Sequence, residues 1–247
     1  MQTFLTLPYE KPLSLPPPWH GHDPRTPPAF VRHFLRAFTD PGDTVFDPFA
    51  GFGTTLAVAE ELDRVGVGVE FEAERVAFVR DRLSPGTDSD GERDATSASD
   101  SWVRQGDALD LDTADLPTAD CCLTSPPFAT RGIDRNPFEN YAGEGSYDDY
   151  LADLGTAFGT VAGLLRPGGA LLVDVSNMKT EDGVTTLAWD VGEVLRDDQR
   201  LDFRGEVVVG WEDAERDGKE NAVSPDREGA FGYGYDHSYC LVFERTD

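Results

Sequence analysis

Lysine is nearly absent from this chain of 247 residues. It occurs only at Lys11, Lys179 and Lys219, so arginine supplies most of the 21 basic residues, which face 47 acidic ones. The formal net charge is −26, and a surface this acidic repels itself at low ionic strength. At ~1 M salt the Debye length falls to roughly 3 Å, which screens that repulsion. The composition therefore predicts a protein from a high-salt cytoplasm, stabilised by molar KCl, with an acidic protein from an ordinary cell as the alternative.

Cysteine and long apolar runs are also scarce. Three cysteines are too few for a disulfide framework, and they lack the spacing of metal ligands. Cys121 and Cys122 are adjacent in an apolar run, so we expect them to point to opposite sides of a strand as core residues, and Cys240 to be core as well. No apolar stretch reaches the ~18 residues of a membrane span, and no signal peptide is apparent. We expect a cytoplasmic protein with no metal and no membrane segment.

The remaining pattern alternates strands and helices. A proline-rich start predicts an extended arm, and AFVRHFLRAFT then has apolar residues at helical spacing. Four short predicted strands follow, ending near Asp47, Glu70, Gln105 and Thr124. Ser146 and Asp149 resemble a capping box that opens a further helix. That helix is followed by the strand ALLVDVS, the helix TTLAWDVGEVLRD and two strands with no helix between them, RGEVVVGW and HSYCLVFER.

This order of elements predicts an α/β fold with a doubly wound, mostly parallel sheet and an antiparallel C-terminal edge hairpin. We expect one domain over residues 1–247, beginning with an extended arm over 1–26. The segment 84–100 has no apolar residue larger than alanine and predicts a polar surface loop. The polar loops 129–145 and 211–235 are candidates for substrate recognition.

The glycine-rich turn after the first predicted strand is the first candidate binding feature. In sheets of this kind, ligands bind beyond the carboxyl ends of the strands. Gly51 and Gly53, in DPFAGFGTT, would let the backbone approach a ligand at the start of a helix. The turn lacks the GK[ST] ending of a phosphate-binding loop and the third glycine of a dinucleotide fingerprint. A tight strand-to-helix turn without a ligand is the alternative.

Acidic residues follow two further strands. A carboxylate at Glu70 can accept the hydroxyl hydrogens of a ribose, and one at Asp107 can accept from the exocyclic amine of an adenine. Each has a plain structural alternative: Glu70 can complement a helix dipole, and Asp107 can cap a helix. The residues alone leave both interpretations open.

Four motifs at strand ends, FDPFAGFGTT, VGVE, QGDA and TSPPF, together resemble the S-adenosylmethionine-dependent amino-methyltransferases of nucleic acids. They are most similar to the DNA methylases that modify cytosine N4 or adenine N6. The resemblance implies a class I methyltransferase domain with a Rossmann-like sheet and S-adenosyl-L-methionine as cofactor. The cofactor pocket it implies comprises Pro28, Phe30, Asp47, Phe49, Gly51, Gly53, Thr54, Thr55, Glu70 and Asp107.

The same resemblance makes Ser125, Pro126, Pro127 and Phe128 the catalytic turn. An exocyclic amine is a poor nucleophile because its lone pair is delocalised into the base. The Ser125 hydroxyl and the Pro126 carbonyl can accept its two hydrogens, while the prolines fix that carbonyl in place. Phe128 supplies a face on which an extruded base can stack.

Serine at the first position of this motif is typical of cytosine-N4 enzymes, whereas aspartate or asparagine is more usual for adenine-N6 enzymes. Tyrosine is commoner than phenylalanine at the last position. The resemblance therefore predicts a DNA cytosine-N4 methyltransferase. Adenine-N6 methylation of DNA, base methylation of tRNA or rRNA, and a catalytically silent regulatory protein that binds the cofactor are the alternatives.

Recognition of a polyanion requires local positive charge. Arg131 and Arg135 follow the catalytic turn and Lys179 follows the fifth strand, so these three are the candidate phosphate contacts, with solvated loop residues as the alternative. Only the loops at 129–145, 177–184 and 211–235 are available for target recognition. The segments that recognise the target are therefore short, or they belong to a partner protein. The oligomeric state is left open.

Overall fold

An eight-stranded mixed sheet organises the protein, seen here in a computed structural model that describes residues 2–8, 10, 15, 19, 25–83, 101–139, 144–180, 183–212 and 237–247. The strands of the sheet are β1 (Phe4–Pro8), β2 (Thr44–Asp47), β3 (Val65–Glu70), β4 (Trp102–Gln105), β5 (Ala119–Thr124), β6 (Leu165–Val175), β9 (Leu201–Glu212) and β10 (His237–Arg245), and a separate hairpin consists of β7 (Met178–Thr180) and β8 (Gly183–Thr185). The predicted loop at 84–100 and nearly all of the one at 211–235 lie outside the described residues.

Five helices pack on the sheet: α1 (Pro28–Phe38), α2 (Thr54–Glu61), α3 (Ala73–Leu83), α4 (Tyr147–Leu164) and α5 (Leu187–Arg196). Helix α1 begins at Pro28. Proline suits this position because the first N–H of a helix has no partner within the helix. The predicted capping box of α4 is confirmed, because the Ser146 hydroxyl accepts from the Asp149 N–H and the Asp149 carboxylate accepts from the Ser146 N–H. A 3-10 turn at Pro137–Glu139 precedes α4.

The strand order is β1-β9-β10-β6-β5-β2-β3-β4. Strands β6, β5, β2, β3 and β4 are parallel, and β10 is antiparallel to both β6 and β9. The predicted doubly wound sheet with a C-terminal antiparallel hairpin is confirmed. One strand of this sheet was not predicted: β1 lies within the arm and pairs in parallel with β9 outside that hairpin.

Two apolar clusters fill the two sides of the sheet. One gathers around α4 and includes Tyr150 and Phe158, and the other lies under α1 and includes Phe34. Cys121 belongs to the second cluster and Cys122 to the first, so the adjacent cysteines do point to opposite sides of β5. Cys240 is fully buried as well, and burial raises the pKa of all three thiols, which confirms them as inert core residues.

The hairpin β7–β8 corrects the expectation of a loop after the fifth predicted strand. Met178 pairs with Thr185 and Lys179 pairs with Val184. Among the residues that the structure describes, no helix is long and apolar enough to cross a membrane. No group of three or more His, Cys, Asp or Glu side chains in the same ranges could hold a metal ion.

Candidate active site

The ends of β2 and β5 meet at the centre of the sheet. The two strands are parallel neighbours, with Phe46 opposite Cys122. Beyond that pair, the Thr124 hydroxyl donates to Oδ1 of Asp47 over 2.6 Å. The glycine turn follows Asp47 and the Ser-Pro-Pro-Phe turn follows Thr124, so the two motifs are brought together by a direct contact at their first residues.

Asp47 is a buried carboxyl held by three donors. It is 4% exposed, and it accepts from Thr124, from the Phe49 N–H at 3.1 Å and from the Thr55 side chain. Burial raises its pKa to about 6, although the hydrogen bonds oppose the rise. These contacts fix the start of the glycine turn, with Thr54 and Thr55 buried in the first turn of α2.

The two glycines of the turn are needed for different reasons. Both have left-handed backbones, with φ of +53° at Gly51 and +72° at Gly53. A Cβ at Gly53 would lie 2.7 Å from Cγ1 of Val79, so this glycine allows the turn to pack against α3. A Cβ at Gly51 would meet nothing closer than the Phe49 carbonyl oxygen at 3.9 Å, so the space beside it is open.

Glu70 connects the end of β3 to the glycine turn. Its Oε2 accepts from the Gly51 N–H at 2.9 Å, and its Oε1 accepts from the Glu72 N–H at 2.8 Å. The side chain is 7% exposed, and burial raises its pKa while these backbone donors oppose the rise. The carboxylate is therefore rigidly placed beside Gly51.

Asp107 lies next to Glu70 because β4 is the neighbour of β3. The Gly106 N–H donates to the Glu70 carbonyl at 3.0 Å, and the Asp107 carboxylate accepts from the Leu109 N–H at 2.9 Å. Phe71, which follows Glu70, is 48% exposed, and its carbonyl accepts from the side chain of Gln105. Phe71 was not predicted as a site residue, although a large apolar residue directly after the acid that ends a strand is a signal that the sequence offers.

The Ser-Pro-Pro-Phe turn presents polar and aromatic groups at the end of β5. Ser125 is exposed, Pro126 is buried and Phe128 is 43% exposed. The Tyr150 hydroxyl, from α4, donates to the Pro127 carbonyl at 2.7 Å. Tyr150 has no exposed surface. Tyr150 directly follows the capping box of α4, and nothing local in the sequence marks its contact with the turn.

Arg131 anchors the segment that follows this turn. Its N–H donates to the Thr185 hydroxyl at 3.0 Å, and its guanidinium pairs with Asp190 at 3.0 Å. The guanidinium also lies 5.4 Å from the ring centroid of Tyr147, whose hydroxyl donates to Asp190. The predicted phosphate contact is thus engaged in an ion pair with α5. Arg135 and Lys179 are exposed at the surface.

The predicted residues at the start of α1 differ in accessibility. Phe30 has no exposed surface and packs in the core against Phe34, with ring centroids 4.6 Å apart. Pro28 is half-buried. Just before it, the Thr26 hydroxyl donates to Oδ2 of Asp174 at 2.9 Å, which brings the arm to the end of β6. Asp174 is 8% exposed, and burial raises its pKa to about 6.

Two surface grooves lie apart from these strand ends. One, of about 550 Å³, runs along α4 over Gly155, Gly159 and Gly163. The glycines there accommodate the guanidinium of Arg200, which donates to the Gly159 carbonyl at 2.7 Å. The other, of about 660 Å³, is lined by Arg135 and its neighbours. Neither contains a residue of the four strand-end motifs.

Comparison with known sequences finds similarity over the first third of the chain. Residues 6–81 match the family described as DNA methylase of the N6/N4 type. Type II methyltransferase M.XycI from Xanthomonas campestris pv. cyanopsidis is 42% identical over 63 residues, which are 26% of this chain and 21% of that protein. M.HpaI from Haemophilus parainfluenzae is 35% identical over 75 residues, 29% and 24% of the two chains. The match thus spans about a quarter or less of these relatives.

Comparison with solved structures covers most of the chain and shows the fold. TrmN from Thermus thermophilus superposes with a TM-score of 0.56 at 18% identity, over 89% of this chain and 49% of that one. A methyltransferase from Pyrococcus furiosus gives 0.53 at 15% identity, over 92% and 87%. The fold is that of the class I methyltransferases. Within that fold, residues 6–81 match the DNA methylase family of the N6/N4 type.

Proposed function

We propose that the protein transfers a methyl group from S-adenosyl-L-methionine to an exocyclic amino group of a base in DNA, cytosine N4 being the preferred target. The observation that carries the proposal is the hydrogen bond between Thr124 and Asp47. It joins the start of a cofactor-type glycine turn to the start of a turn suited to hold an amine. The similarity to Type II methyltransferases over the glycine-turn segment supports DNA as the substrate.

The residues at the ends of β3 and β4 suit the nucleoside part of the cofactor. Glu70 is a rigid carboxylate beside Gly51 and can accept from ribose hydroxyls. Asp107 can accept from the adenine amine, and the exposed ring of Phe71 offers a face on which adenine can stack. The open space beside Gly51 allows a ligand to approach the backbone. When bound, the cofactor supplies an electrophilic methyl group on a positively charged sulfur.

Pro28 and the glycine-turn residues would form the rest of the pocket. Gly53, Thr54 and Thr55 lie at the start of α2, and the ring of Phe49 packs against that of Phe158, with centroids 6.0 Å apart. Asp47 already accepts three hydrogen bonds from the protein itself, so we assign it to holding the turn in place and only secondarily to contact with the cofactor. Phe30 supports Pro28 from the core without reaching the ligand.

At the end of β5, the chain supplies what an amine needs to attack. The Ser125 hydroxyl and the Pro126 carbonyl accept the two amine hydrogens, which favours the pyramidal nitrogen with a localised lone pair. The Pro127 carbonyl is held by Tyr150, so the turn cannot rotate freely. The bound cofactor would supply the methyl group and leave as a neutral thioether, while the nitrogen would release its extra proton to solvent beside the exposed Ser125. Phe128 holds the extruded base by stacking.

The preferred target base is inferred from the same turn. Serine at its first position favours cytosine N4 over adenine N6. A phenylalanine at the last position stacks without adding a hydroxyl. Because few loops are available to read a target sequence in DNA, we also propose that a partner protein contributes to its recognition.

A methyl-transfer assay tests the proposal directly. The protein is incubated in molar KCl with cofactor labelled in its methyl group, with duplex DNA and with tRNA or rRNA side by side, and the products are digested for nucleoside mass spectrometry. We expect label in DNA as N4-methylcytosine. Label in RNA alone would overturn the choice of substrate. Cofactor binding with transfer to neither substrate would support a regulatory protein instead.

A further inference from the structure

Exposed apolar side chains occur in segments that Arg131 holds near the Ser-Pro-Pro-Phe turn. Five large apolar residues are strongly exposed among those the structure describes: Phe4, Phe71, Phe128, Val184 and Trp189. Three of them lie close in the chain to residues that Arg131 connects. Phe128 is three residues before Arg131, Val184 precedes its backbone partner Thr185, and Trp189 precedes its ion-pair partner Asp190.

The hairpin β7–β8 turns one of its faces outward. Met178 and Thr185 form one cross-strand pair; Thr185 is 3% exposed and Met178 packs against the core. Lys179 and Val184 form the next pair, and both are exposed. Because directly opposite residues share a face of a hairpin, Lys179 and Val184 present a cation and an apolar group side by side.

Helix α5 adds an aromatic ring to the same region. Its core-facing residues Leu187, Ala188, Val191 and Leu195 are buried, whereas Trp189 is 65% exposed. The carboxylate next to it, Asp190, is paired with Arg131 and so presents little net negative charge. Glu193, exposed one turn further along the helix, limits the apolar region at that end.

We propose that Phe128, Lys179, Val184 and Trp189, here called the hairpin surface, receive the strand of duplex DNA that carries the target base. This inference rests on the proposed function and assigns its substrate-binding surface. Extrusion of a base leaves its neighbours partly unstacked. Aromatic and apolar side chains can cover the exposed faces, as they do in proteins that bind single strands. Lys179 can contact a flanking phosphate.

The charge of the protein favours this mode of binding. With a formal net charge of −26, the chain as a whole repels a polyanion. Molar salt weakens phosphate contacts further. Affinity must then come largely from apolar and stacking contacts, and these are what Val184 and Trp189 offer. Phe128, the residue assigned to stack on the extruded base, lies three residues before Arg131, which contacts both Thr185 and Asp190.

The test compares Trp189→Ala and Val184→Ser with Phe4→Ala. Phe4 is a matched control because it is 58% exposed and lies on β1 at the outer edge of the sheet. We expect Trp189→Ala to raise the KM for duplex DNA by roughly fivefold or more, the loss expected for one base–aromatic stack. Val184→Ser should raise it less. The Kd for the cofactor, the kcat at saturating DNA and the melting temperature should change little in all three variants.

A second readout uses Lys179→Gln. If Lys179 contacts a phosphate, the slope of log KM against log KCl should become shallower by about one. The inference is overturned if the wild type methylates DNA but Trp189→Ala and Phe4→Ala have the same KM for DNA. It is also overturned if Trp189→Ala acts only through a lower melting temperature or weaker cofactor binding. A wild type that methylates no DNA at all refutes the proposed function itself, which is a distinguishable result.

Discussion

The hydroxyl of Thr124 lies 2.6 Å from Oδ1 of Asp47, and this contact joins the last residues of two neighbouring parallel strands. Because it ties the glycine turn to the Ser-Pro-Pro-Phe turn, it sets the separation of the two halves of the proposed active site. A buried donor to a buried carboxylate has no water to replace it.

Thr124→Val keeps the shape of the side chain and removes the donor. We expect a loss of about 1–3 kcal/mol in the free energy of unfolding, a further rise in the pKa of Asp47, and slower methyl transfer. Denaturant unfolding and a turnover assay measure these effects. Thr156→Val, which removes a hydroxyl bonded only to the exposed α4 backbone, is the control. Equal effects of the two substitutions would contradict the linking role of Thr124.

Gly53→Ala should destabilise the protein more than Gly51→Ala. Both positions have a left-handed φ, so alanine is strained at each by about 1 kcal/mol. At Gly53 the new methyl group would also collide with Val79. Thermal unfolding of Gly53→Ala with and without Val79→Ala tests the cause, since the double variant should recover part of the loss. Additive losses would show that the collision is not the reason.

Asp174 should make stability depend on pH. Its ordinary pKa of 3.8 is raised to about 6 in the folded protein by burial. Between these values the folded state keeps a proton that the unfolded state releases, so the contribution to stability falls as pH rises from about 4 to 6 and is constant above. Asp174→Asn removes this dependence.

The test compares the free energies of unfolding in urea of the wild type and Asp174→Asn, from pH 4 to pH 8 at constant KCl. The difference between the two proteins isolates Asp174 from the other acidic groups. The variant should gain up to about 3 kcal/mol relative to the wild type across the window. A difference between the two proteins that does not change with pH would show that Asp174 titrates normally. Thr26 can still donate to the asparagine carbonyl, so the arm contact is preserved.

Tyr150→Phe should lower kcat roughly tenfold while the Kd for the cofactor and the KM for DNA stay close to wild type. Loss of the bond to the Pro127 carbonyl frees the turn that must hold the amine, and a tenfold slower rate corresponds to about 1.4 kcal/mol of lost transition-state stabilisation. Leu154→Val, one turn away in the same buried face of α4, is the control for stability alone. A similar kcat in both variants would leave Tyr150 a purely structural role.

The sheet and its helices could be predicted because their patterns are local. The alternation of apolar runs gave the parallel strands and the hairpin β9–β10, and the pair Ser146 and Asp149 gave the start of α4. Strand β1 could not be recognised: it has five residues in a proline-rich arm, and its partner β9 is about 200 residues away. The hairpin β7–β8 has strands of only three residues, too short for a periodic signal.

The strand-end motifs of the candidate site could be read from the sequence, whereas the contacts that hold these motifs in place could not. Glu70 and Asp107 follow adjacent strands and lie side by side, as strand-end positions suggest. Thr124, Tyr150 and Asp174 act through contacts between residues far apart in the chain, and nothing local in the sequence marks these contacts. Arg131 was interpreted as a phosphate contact because it follows the catalytic turn, and its ion pair with Asp190, 59 residues away, could not be read from the sequence.

The most direct test of the account is the turnover of Ser125→Ala on duplex DNA, measured as methylated nucleoside by mass spectrometry in molar KCl. If the Ser125 hydroxyl accepts an amine hydrogen during transfer, turnover should fall by ~10²-fold or more, as on loss of one preorganised polar group, with the Kd for the cofactor unchanged. A variant that forms N4-methylcytosine at the wild-type rate would contradict the assignment of this turn as the catalytic centre.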